Sequence, residues 1–206
     1  MTLSRALWEE NADLAAEALA HPFVRGLADG TLPQAAFSVY VAQDAFFLDA
    51  FARAYALALA HSPDRAARDA FAGLLAGVCD ELRLHGAYAA RWGVALDEVE
   101  PTRETQAYVD FVLARAALGE VGLTCAAMTP CMRLYAFLGR ELEGAESGSY
   151  AEWVETYADP GFEALAATLE QLLDAHAADS PAVHATYRRA MELELAFFSG
   201  AHGGGR

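Results

Sequence analysis

The sequence predicts an all-α protein built as a single-domain helical bundle, and three observations support that prediction. Apolar residues recur at steps of three and four along most of the chain, which is the helical period. The alternation of Val, Ile and Thr that is typical of strands is absent, and the chain contains no isoleucine. Alanine is abundant, and alanine-rich helices pack closely in helix-on-helix layers. We expect the domain to span residues 1–199, followed by a flexible glycine-rich tail at 200–206.

Turn residues divide the first half of the chain into helices. An amphipathic helix is expected over residues 4–20, where the segment His21-Pro22-Phe23 interrupts it. A long helix follows over residues 34–61. The next helix begins at Ser62-Pro63, an N-cap followed by proline at the first helical position, and it reaches about residue 91.

The second half follows the same rules. Pro101-Thr102 opens a helix that ends near residue 118, just before a glycine. A helix over residues 120–142 contains Pro130, where a kink or a fresh helix start is expected. The remaining helices are expected around Trp153 and Tyr157, over residues 161–177, and over residues 181–198.

The composition argues against several classes of partner. A formal charge of −15 at pH 7 disfavours nucleic acid and anionic membrane surfaces, because proteins that bind them need basic patches. No stretch approaches an uncharged membrane span and no signal peptide is evident, so we expect a cytoplasmic protein. Hydrophobic residues make up 55% of the chain, which favours surface buried in a homo-oligomer. The three cysteines are too few for a disulfide framework or a zinc site.

A carboxylate lies in the middle of an aromatic stripe on the long helix. Asp44 is three or four residues from its aromatic neighbours, so these side chains share one face. A buried, unpaired carboxylate is costly, and it normally becomes neutral or finds a partner. The stripe therefore favours a pocket for a flat, polar small molecule. Its members are Phe37, Tyr40, Asp44, Phe47 and Phe51.

Two further residues could carry chemistry. If Pro130 starts a helix, Cys131 lies near free backbone N–H groups, which lower a thiol pKa and make the thiolate more available. Glu194 shares a helix face with aromatic residues, and a glutamate in an apolar pocket has a raised pKa suited to acid–base catalysis. Glu192 lies about 200° away and can reach solvent. The structural alternatives are an inert buried thiol for Cys131 and a carboxylate at the rim of the core for Glu194.

Glu81 and His85 are four residues apart on one predicted helix. Carboxylate-bridged di-iron bundles need two sets of such ligands on two helix pairs, and the sequence has no second set. A local hydrogen bond that stabilises the helix is the preferred interpretation. The sequence therefore predicts no metal and no cofactor.

Two sequence blocks resemble the TenA family, the aminopyrimidine aminohydrolases of the thiaminase II type. The first runs from His21 through Pro33 and on to the segment Tyr40-Val41-Ala42-Gln43-Asp44, and it is highly specific. The second contains Pro130-Cys131, and it is followed at family spacing by Glu194 near the end of the chain. The resemblance spans nearly the whole sequence in the right order.

The resemblance implies a haem-oxygenase-like all-α fold, commonly a homotetramer, that uses no haem or metal. It implies hydrolysis of 4-amino-5-aminomethyl-2-methylpyrimidine to the hydroxymethylpyrimidine in thiamin salvage, and many members also cleave thiamin. By resemblance, Cys131 is the nucleophile, Glu194 transfers protons, and Asp44 binds the amidine edge of the pyrimidine. The residues that then line the ring's pocket are Phe47, Tyr108, Tyr135 and Tyr157.

Two residues depart from the family pattern, and two other functions compete. Phe47 stands where relatives often carry tyrosine, and Arg133 stands where some carry an aromatic residue, while Cys131 matches the cysteine-bearing branch. A non-catalytic pyrimidine-binding or regulatory protein could use the same scaffold, since a fold does not fix function. An oxidase related to haem-oxygenase-like cofactor-making or di-iron enzymes would need metal ligands or a basic pocket, which the sequence does not indicate. Release of ammonia from the aminomethylpyrimidine separates the hydrolase from the binding protein.

Overall fold

The described part of the chain is built from helices. The structure, a computed structural model, describes residues 1–96 and 99–203, except for the side chains of Leu84 and Tyr88. These residues form ten α-helices and a 3-10 turn at Gly148–Tyr150, with no strand among them, which confirms the predicted all-α class. The helices are α1 (Leu3–Glu10), α2 (Ala12–Ala20), α3 (Pro22–Ala28), α4 (Gln34–His61), α5 (Arg65–Trp92), α6 (Arg103–Ala117), α7 (Val121–Glu141), α8 (Ala151–Ala158), α9 (Pro160–His176) and α10 (Pro181–Gly203).

Two long helices, α4 and α7, form the centre of the bundle. α4 packs against α5 and α6, whereas α7 packs against α8, α9 and α10. α10 also contacts α4 and α6, so it joins the two groups of helices. Small buried residues such as Ala54 and Ala126 let these helices approach closely. The aromatic stripe of α4 is buried as predicted, and it carries Asp44 into the interior.

α4 and α7 are also long and apolar enough to span a membrane, judged by length and composition alone. This differs from the sequence analysis, which found no stretch of that kind. In the most apolar window of each helix, 56% and 83% of the residues are buried inside the protein. Burial of this extent is expected for the core helices of a packed bundle.

The predicted boundaries of α4 are confirmed, whereas the first predicted helix and the start of α5 differ from their predictions. The first expected helix breaks at Asn11, whose buried side chain donates to the carbonyl of Leu7 at 2.8 Å. Ser62 ends α4 rather than opening the next helix, because its hydroxyl donates to the carbonyl of Ala58 at 2.8 Å. Asp64 caps α5 instead.

Two differences concern the later helices. α7 runs through Pro130 as one helix, which excludes a fresh helix start, one of the two alternatives predicted for this residue. α10 continues past its predicted end at Phe198 as far as Gly203, and Ala201 is buried. The beginning of the expected flexible tail is therefore helical, and residues 204–206 lie outside the described part of the chain.

Candidate active site

Five helices contribute side chains to one small cavity in the centre of the bundle. Its volume is about 10 Å³, which is about the space of one water molecule, so a pyrimidine ring can enter only if wall side chains move. A wider outer cavity of about 430 Å³ adjoins it, and Glu81 and Phe162 line both. The inner cavity is lined by Asp44, Leu48, Phe51, Glu81, Cys131, Met132, Tyr135, Tyr157 and Phe162.

Asp44 and His85 form a buried pair where α4 meets α5. Oδ2 of Asp44 is 2.6 Å from Nε2 of His85, and the two side chains are only 6% and 4% exposed. Nδ1 of His85 lies 3.1 Å from the carbonyl oxygen of Glu81, which can only accept, so Nδ1 carries a hydrogen. A proton must therefore lie between Nε2 and Oδ2. The structure confirms that the buried Asp44 carboxylate has a partner.

The charges around this pair determine its protonation. Burial alone would lower the pKa of His85, but the charge and hydrogen bond of Asp44, together with Glu81, raise it to about 9. His85 is therefore an imidazolium at neutral pH and balances the charge of Asp44. Burial and the Asp44 charge raise the pKa of Glu81 to about 7, against the opposing effects of His85 and Tyr157. Glu81 can thus change its charge near neutral pH.

Glu194, Tyr108 and Cys131 form a second group, contributed by α10, α6 and α7. The Tyr108 hydroxyl donates to Oε1 of Glu194 at 2.7 Å, and both side chains are buried. Burial raises the pKa of Glu194 to about 7, although Tyr108 and the Cys131 thiol, which face the carboxyl, act to lower it. Glu192 is exposed and pairs with Arg189 at 3.1 Å, so the predicted register of α10 is confirmed.

The predicted activation of Cys131 by a helix N-terminus is wrong. Because α7 is continuous, the backbone around Cys131 belongs to the middle of a helix and presents no free helix end. Burial raises the thiol pKa well above its usual value, and the charges of Glu194 and Asp44 raise it further. Cys131 therefore rests as a thiol, and it needs a base to become a nucleophile. Glu194 lies in the position for that role.

Three aromatic side chains form a hydrogen-bond chain that ends at the inner cavity. Nε1 of Trp153 donates to the Tyr40 hydroxyl at 3.1 Å, and the Tyr40 hydroxyl donates to the Tyr135 hydroxyl at 3.3 Å. An indole N–H can only donate, which fixes the direction of the chain. The hydrogen of Tyr135 can therefore be donated to a ligand in the cavity that this residue lines.

Tyr157 reaches the cavity because α8 lies very close to α7. A Cβ atom on Gly139 of α7 would be 2.3 Å from the carbonyl carbon of Tyr157, so only glycine permits this approach. The Tyr157 ring packs edge-on against Tyr135 and Phe162, with centroid distances of 4.7 and 4.9 Å. Its hydroxyl donates to Oε1 of Glu81 at 2.8 Å. The close helix contact thus joins Tyr157 to Glu81.

Phe47 and Tyr108 support the site from behind its wall. Their ring centroids are 4.5 Å apart, both side chains are buried, and neither lines the inner cavity. Arg133 points away from the cavity toward α9, where it donates two hydrogen bonds of 2.7 Å to Glu170 and two of 2.8 and 2.9 Å to Glu163. Arg133 therefore ties α7 to α9.

Asp44, Glu81 and His85 are also the cluster that could hold a metal ion in the described part of the chain. One ligand atom from each lies within 4.8 Å of the others. His85 has the orientation usual for a metal ligand, with Nδ1 donating to a carbonyl. An ion would, however, have to displace the proton that joins His85 to Asp44. The geometry favours a proton-sharing pair at this position.

His85 was not predicted as a site residue, because its spacing from Glu81 indicated only a local partner on the same helix. The four-residue spacing was visible, but the contact with Asp44 depends on how α5 is rotated against α4, which no local pattern reveals. The useful signal was Asp44 itself. A buried carboxylate calls for a cation, and His85 is a titratable residue on the neighbouring helix.

Comparison with known proteins relates the chain to one family. The TENA/THI-4/PQQC family matches residues 8–201 of the chain. An aminopyrimidine aminohydrolase of Halalkalibacterium halodurans is 34% identical over 86% of this chain and 83% of that protein. The thiamine biosynthesis multifunctional protein ThiED of Corynebacterium efficiens is 35% identical over 96% of this chain and 28% of that longer protein. A crystal structure of a TenA family transcription regulator from a Silicibacter species superposes with a TM-score of 0.90 at 29% identity, covering 96% of this chain and 95% of that one.

Proposed function

The chain belongs to the TENA/THI-4/PQQC family, and on that premise we propose that it is an aminopyrimidine aminohydrolase of the thiaminase II type. The substrate is 4-amino-5-aminomethyl-2-methylpyrimidine, which reacts with water to give the hydroxymethylpyrimidine and ammonia. Thiamin, which carries the same pyrimidine, is the second compound to test. The proposal places the protein in thiamin salvage.

One observation carries the proposal: the thiol of Cys131 lines a cavity together with the carboxyl of Asp44, and a second carboxyl, Glu194, contacts this thiol from behind the lining. Cys131 faces Glu194, and the pKa of Glu194 is raised to about 7. Asp44 lines the same cavity and is held by the His85 imidazolium. A nucleophile, a proton carrier and an anion that recognises an amidine are the parts that this hydrolysis needs.

Substrate binding uses Asp44 and the aromatic walls. Each carboxylate oxygen can accept more than one hydrogen bond, so Asp44 can hold His85 and still accept from the amino group on the amidine edge of the substrate. The rings of Phe51, Tyr135 and Tyr157 line the cavity and suit a flat heterocycle. To admit the ring, we expect the half-buried Phe162 and the flexible thioether side chain of Met132 to move.

The chemical steps use Cys131 and Glu194. Ionised Glu194 takes the thiol proton, and the sulfur adds to an electron-poor carbon of the pyrimidine ring. Glu194 then gives this proton to the exocyclic amine, which leaves as ammonia as its C–N bond breaks. Water next adds to the exocyclic carbon and gives a proton to Glu194. The C–S bond breaks in the final step, and the returning proton restores the Cys131 thiol.

The test is the release of ammonia from the aminomethylpyrimidine by the purified protein. We expect steady turnover by the wild type and by Cys125→Ser, because Cys125 is buried outside the cavity lining. Cys131→Ser should release no ammonia above background. A wild-type protein that binds the pyrimidine without turnover would be a binding or regulatory protein and would overturn the proposal.

Assembly and compartment complete the proposal. The family resemblance and the high hydrophobic content support a homotetramer that acts in the cytoplasm. Light scattering coupled to size-exclusion chromatography measures the mass directly. A mass equal to one 22.0 kDa chain would contradict the assembly without affecting the assigned reaction.

A further inference from the structure

Two polar groups on the cavity wall have no part in the reaction steps given above. They are the carboxyl of Glu81 and the hydroxyl of Tyr157, joined by a hydrogen bond of 2.8 Å. Both line the inner cavity, together with the nucleophile Cys131. Glu81 also lines the wider outer cavity, so its carboxyl can exchange protons there. The two residues therefore connect the outer cavity with the place where the pyrimidine reacts.

The proposed reaction needs an acid beside the ring. When the sulfur of Cys131 adds to the pyrimidine, an electron pair of the ring moves onto a ring nitrogen. A negative charge that develops inside a buried, largely apolar cavity is costly unless a proton reaches it. Glu194 cannot serve this purpose in the same step, because it holds the proton that the leaving amine requires.

The Asp44–His85 pair is a poor source of that proton. The hydrogen on Nδ1 of His85 is bound to the carbonyl of Glu81, and the other proton lies between Nε2 and Oδ2. Removal of the shared proton would leave two lone pairs facing each other at 2.6 Å. The pair therefore keeps its proton and serves recognition.

Tyr135 can donate a hydrogen bond but cannot replace a proton that it gives away. Its hydroxyl receives a hydrogen from Tyr40, which in turn receives one from the indole of Trp153. A phenol and an indole N–H are too weakly acidic to refill Tyr135 near neutral pH. Tyr157 differs because the group behind it is a carboxyl.

We propose that Tyr157 protonates the pyrimidine ring and that Glu81, acting through Tyr157 as a positioning residue, replaces the proton. Without substrate the Tyr157 hydroxyl donates to Oε1 of Glu81. With the pyrimidine bound, this O–H turns to the ring nitrogen and the protonated carboxyl of Glu81 donates to the Tyr157 oxygen in its place. As the S–C bond forms, the O–H proton of Tyr157 moves to the ring nitrogen that receives the electron pair. The carboxyl proton of Glu81 moves to the Tyr157 oxygen, so Glu81 becomes the carboxylate. When the C–S bond later breaks, the ring nitrogen returns its proton by the same route. This inference rests on the proposed hydrolase function.

The surroundings of Glu81 suit a group that must begin protonated. Burial and Asp44 favour the neutral acid, while His85 and the Tyr157 hydroxyl favour the carboxylate, and the pKa is held at about 7. The charge of ionised Glu81 also raises the pKa of the nearby Cys131 thiol. Glu194 must be ionised to start the reaction, whereas Glu81 must be protonated. The acids that line the outer cavity beside Glu81 are Asp80, Glu155 and Asp159.

Glu194 must be ionised and Glu81 must be protonated for turnover, so the pH dependence of kcat tests the inference. We would measure kcat for ammonia release from pH 5 to 9 in the wild type, Glu81→Gln, Tyr157→Phe and the control Glu155→Gln. The wild type should show a bell-shaped profile centred near pH 7. Glu81→Gln and Tyr157→Phe should lower the maximal kcat by roughly 10²-fold or more and abolish the basic limb while keeping the acid limb.

The control separates the proposed role from a general effect of charge. Glu155 is exposed and lines only the outer cavity, so Glu155→Gln should keep both limbs and the wild-type rate. A basic limb that persists in Glu81→Gln, or a wild-type rate in Tyr157→Phe, would overturn the inference. Should Glu81→Gln fail to fold by circular dichroism, Tyr157→Phe decides alone. A wild type without turnover would instead overturn the proposed function, and the inference with it.

Discussion

Two sides of the candidate site each contain a buried acid, and the two acids have different partners. On the first side, which we call the recognition side, Asp44 is held at 2.6 Å by the imidazolium of His85. On the second, the reaction side, Glu194 accepts from the Tyr108 hydroxyl at 2.7 Å and faces the Cys131 thiol. Neither Tyr108 nor Cys131 is a cation. Two buried carboxyls in one site therefore have different partners.

The difference explains how one site can both hold a substrate and move protons. A buried carboxylate beside a cation can keep its charge, which suits it to bind an amidine. A buried carboxyl such as Glu194, whose hydrogen-bond donors are neutral, takes up a proton near neutral pH, because desolvation and the charge of Asp44 outweigh the two hydrogen-bonding groups. The partners of each acid, rather than its burial, determine its role.

Removal of the nucleophile on the reaction side should have the largest effect. Cys131→Ser should lose essentially all hydrolysis, because a serine hydroxyl is far less acidic than a thiol and Glu194 cannot ionise it appreciably. Measurement of ammonia release with folding monitored by circular dichroism checks this. Cys79→Ser is the matched control and should keep its activity, since Cys79 lies outside the cavity lining. Turnover near the wild-type rate in Cys131→Ser would exclude the covalent mechanism.

The next effect should come from Glu194→Gln, which keeps the shape of the side chain but cannot carry a proton. Positioned acid–base groups typically contribute roughly 10²–10⁴-fold in rate, so kcat should fall by that order while KM changes little. Steady-state kinetics on the aminomethylpyrimidine measures both constants. Glu192→Gln should be nearly silent, because Glu192 is exposed. An essential Glu192 with a dispensable Glu194 would reverse the assignment.

On the recognition side, Asp44→Asn should weaken binding more than it slows chemistry. It replaces a charged acceptor with a neutral one, and hydrogen bonds to charged groups contribute about 1.5–3 kcal/mol, equivalent to roughly tenfold to a hundredfold in affinity. Calorimetric titration with the product pyrimidine gives Kd, and thermal melting gives Tm. Unchanged affinity with a sharply lowered Tm would make Asp44 a structural residue and end the proposed division of roles.

The smallest effect should come from Tyr108→Phe, which tests the reaction side through the pH dependence of kcat. The Tyr108 hydroxyl favours ionised Glu194, so its removal should raise the pKa of Glu194 above about 7. Ionised Glu194 starts the reaction, so kcat falls as pH falls through this pKa. The acid limb should therefore move upward by about one pH unit, given the usual strength of such a hydrogen bond. An acid limb that moves downward or stays in place would contradict this sign.

Much of the fold and part of the site could be predicted from local patterns. The limits of α4 at residues 34–61 followed from Pro33 and the stripe of period 3.6, and its buried face followed from the same stripe. The register that buries Glu194 and exposes Glu192 followed from helical geometry alone. These features depend only on residues close together in sequence.

Features that depend on packing between helices could not be predicted in this way. The pairing of His85 with Asp44 requires the rotation of α5 about its axis relative to α4, which neither helix specifies alone. The activation considered for Cys131 depended on a helix start at Pro130, whereas α7 is continuous through this residue. The half-buried Cys131 thiol instead has a raised pKa, and in the proposed reaction Glu194 activates it.

The central claim is that the reaction side holds Glu194 as a proton carrier near neutral pH. Protein labelled with ¹³C at the glutamate carboxyls can be titrated by NMR from pH 4 to 9, with Glu194→Gln and Glu81→Gln used to assign the two buried signals. The account predicts a signal that titrates at about pH 7 and is missing from Glu194→Gln. A Glu194 signal that titrates near the ordinary glutamate value of about 4.3 would contradict the account.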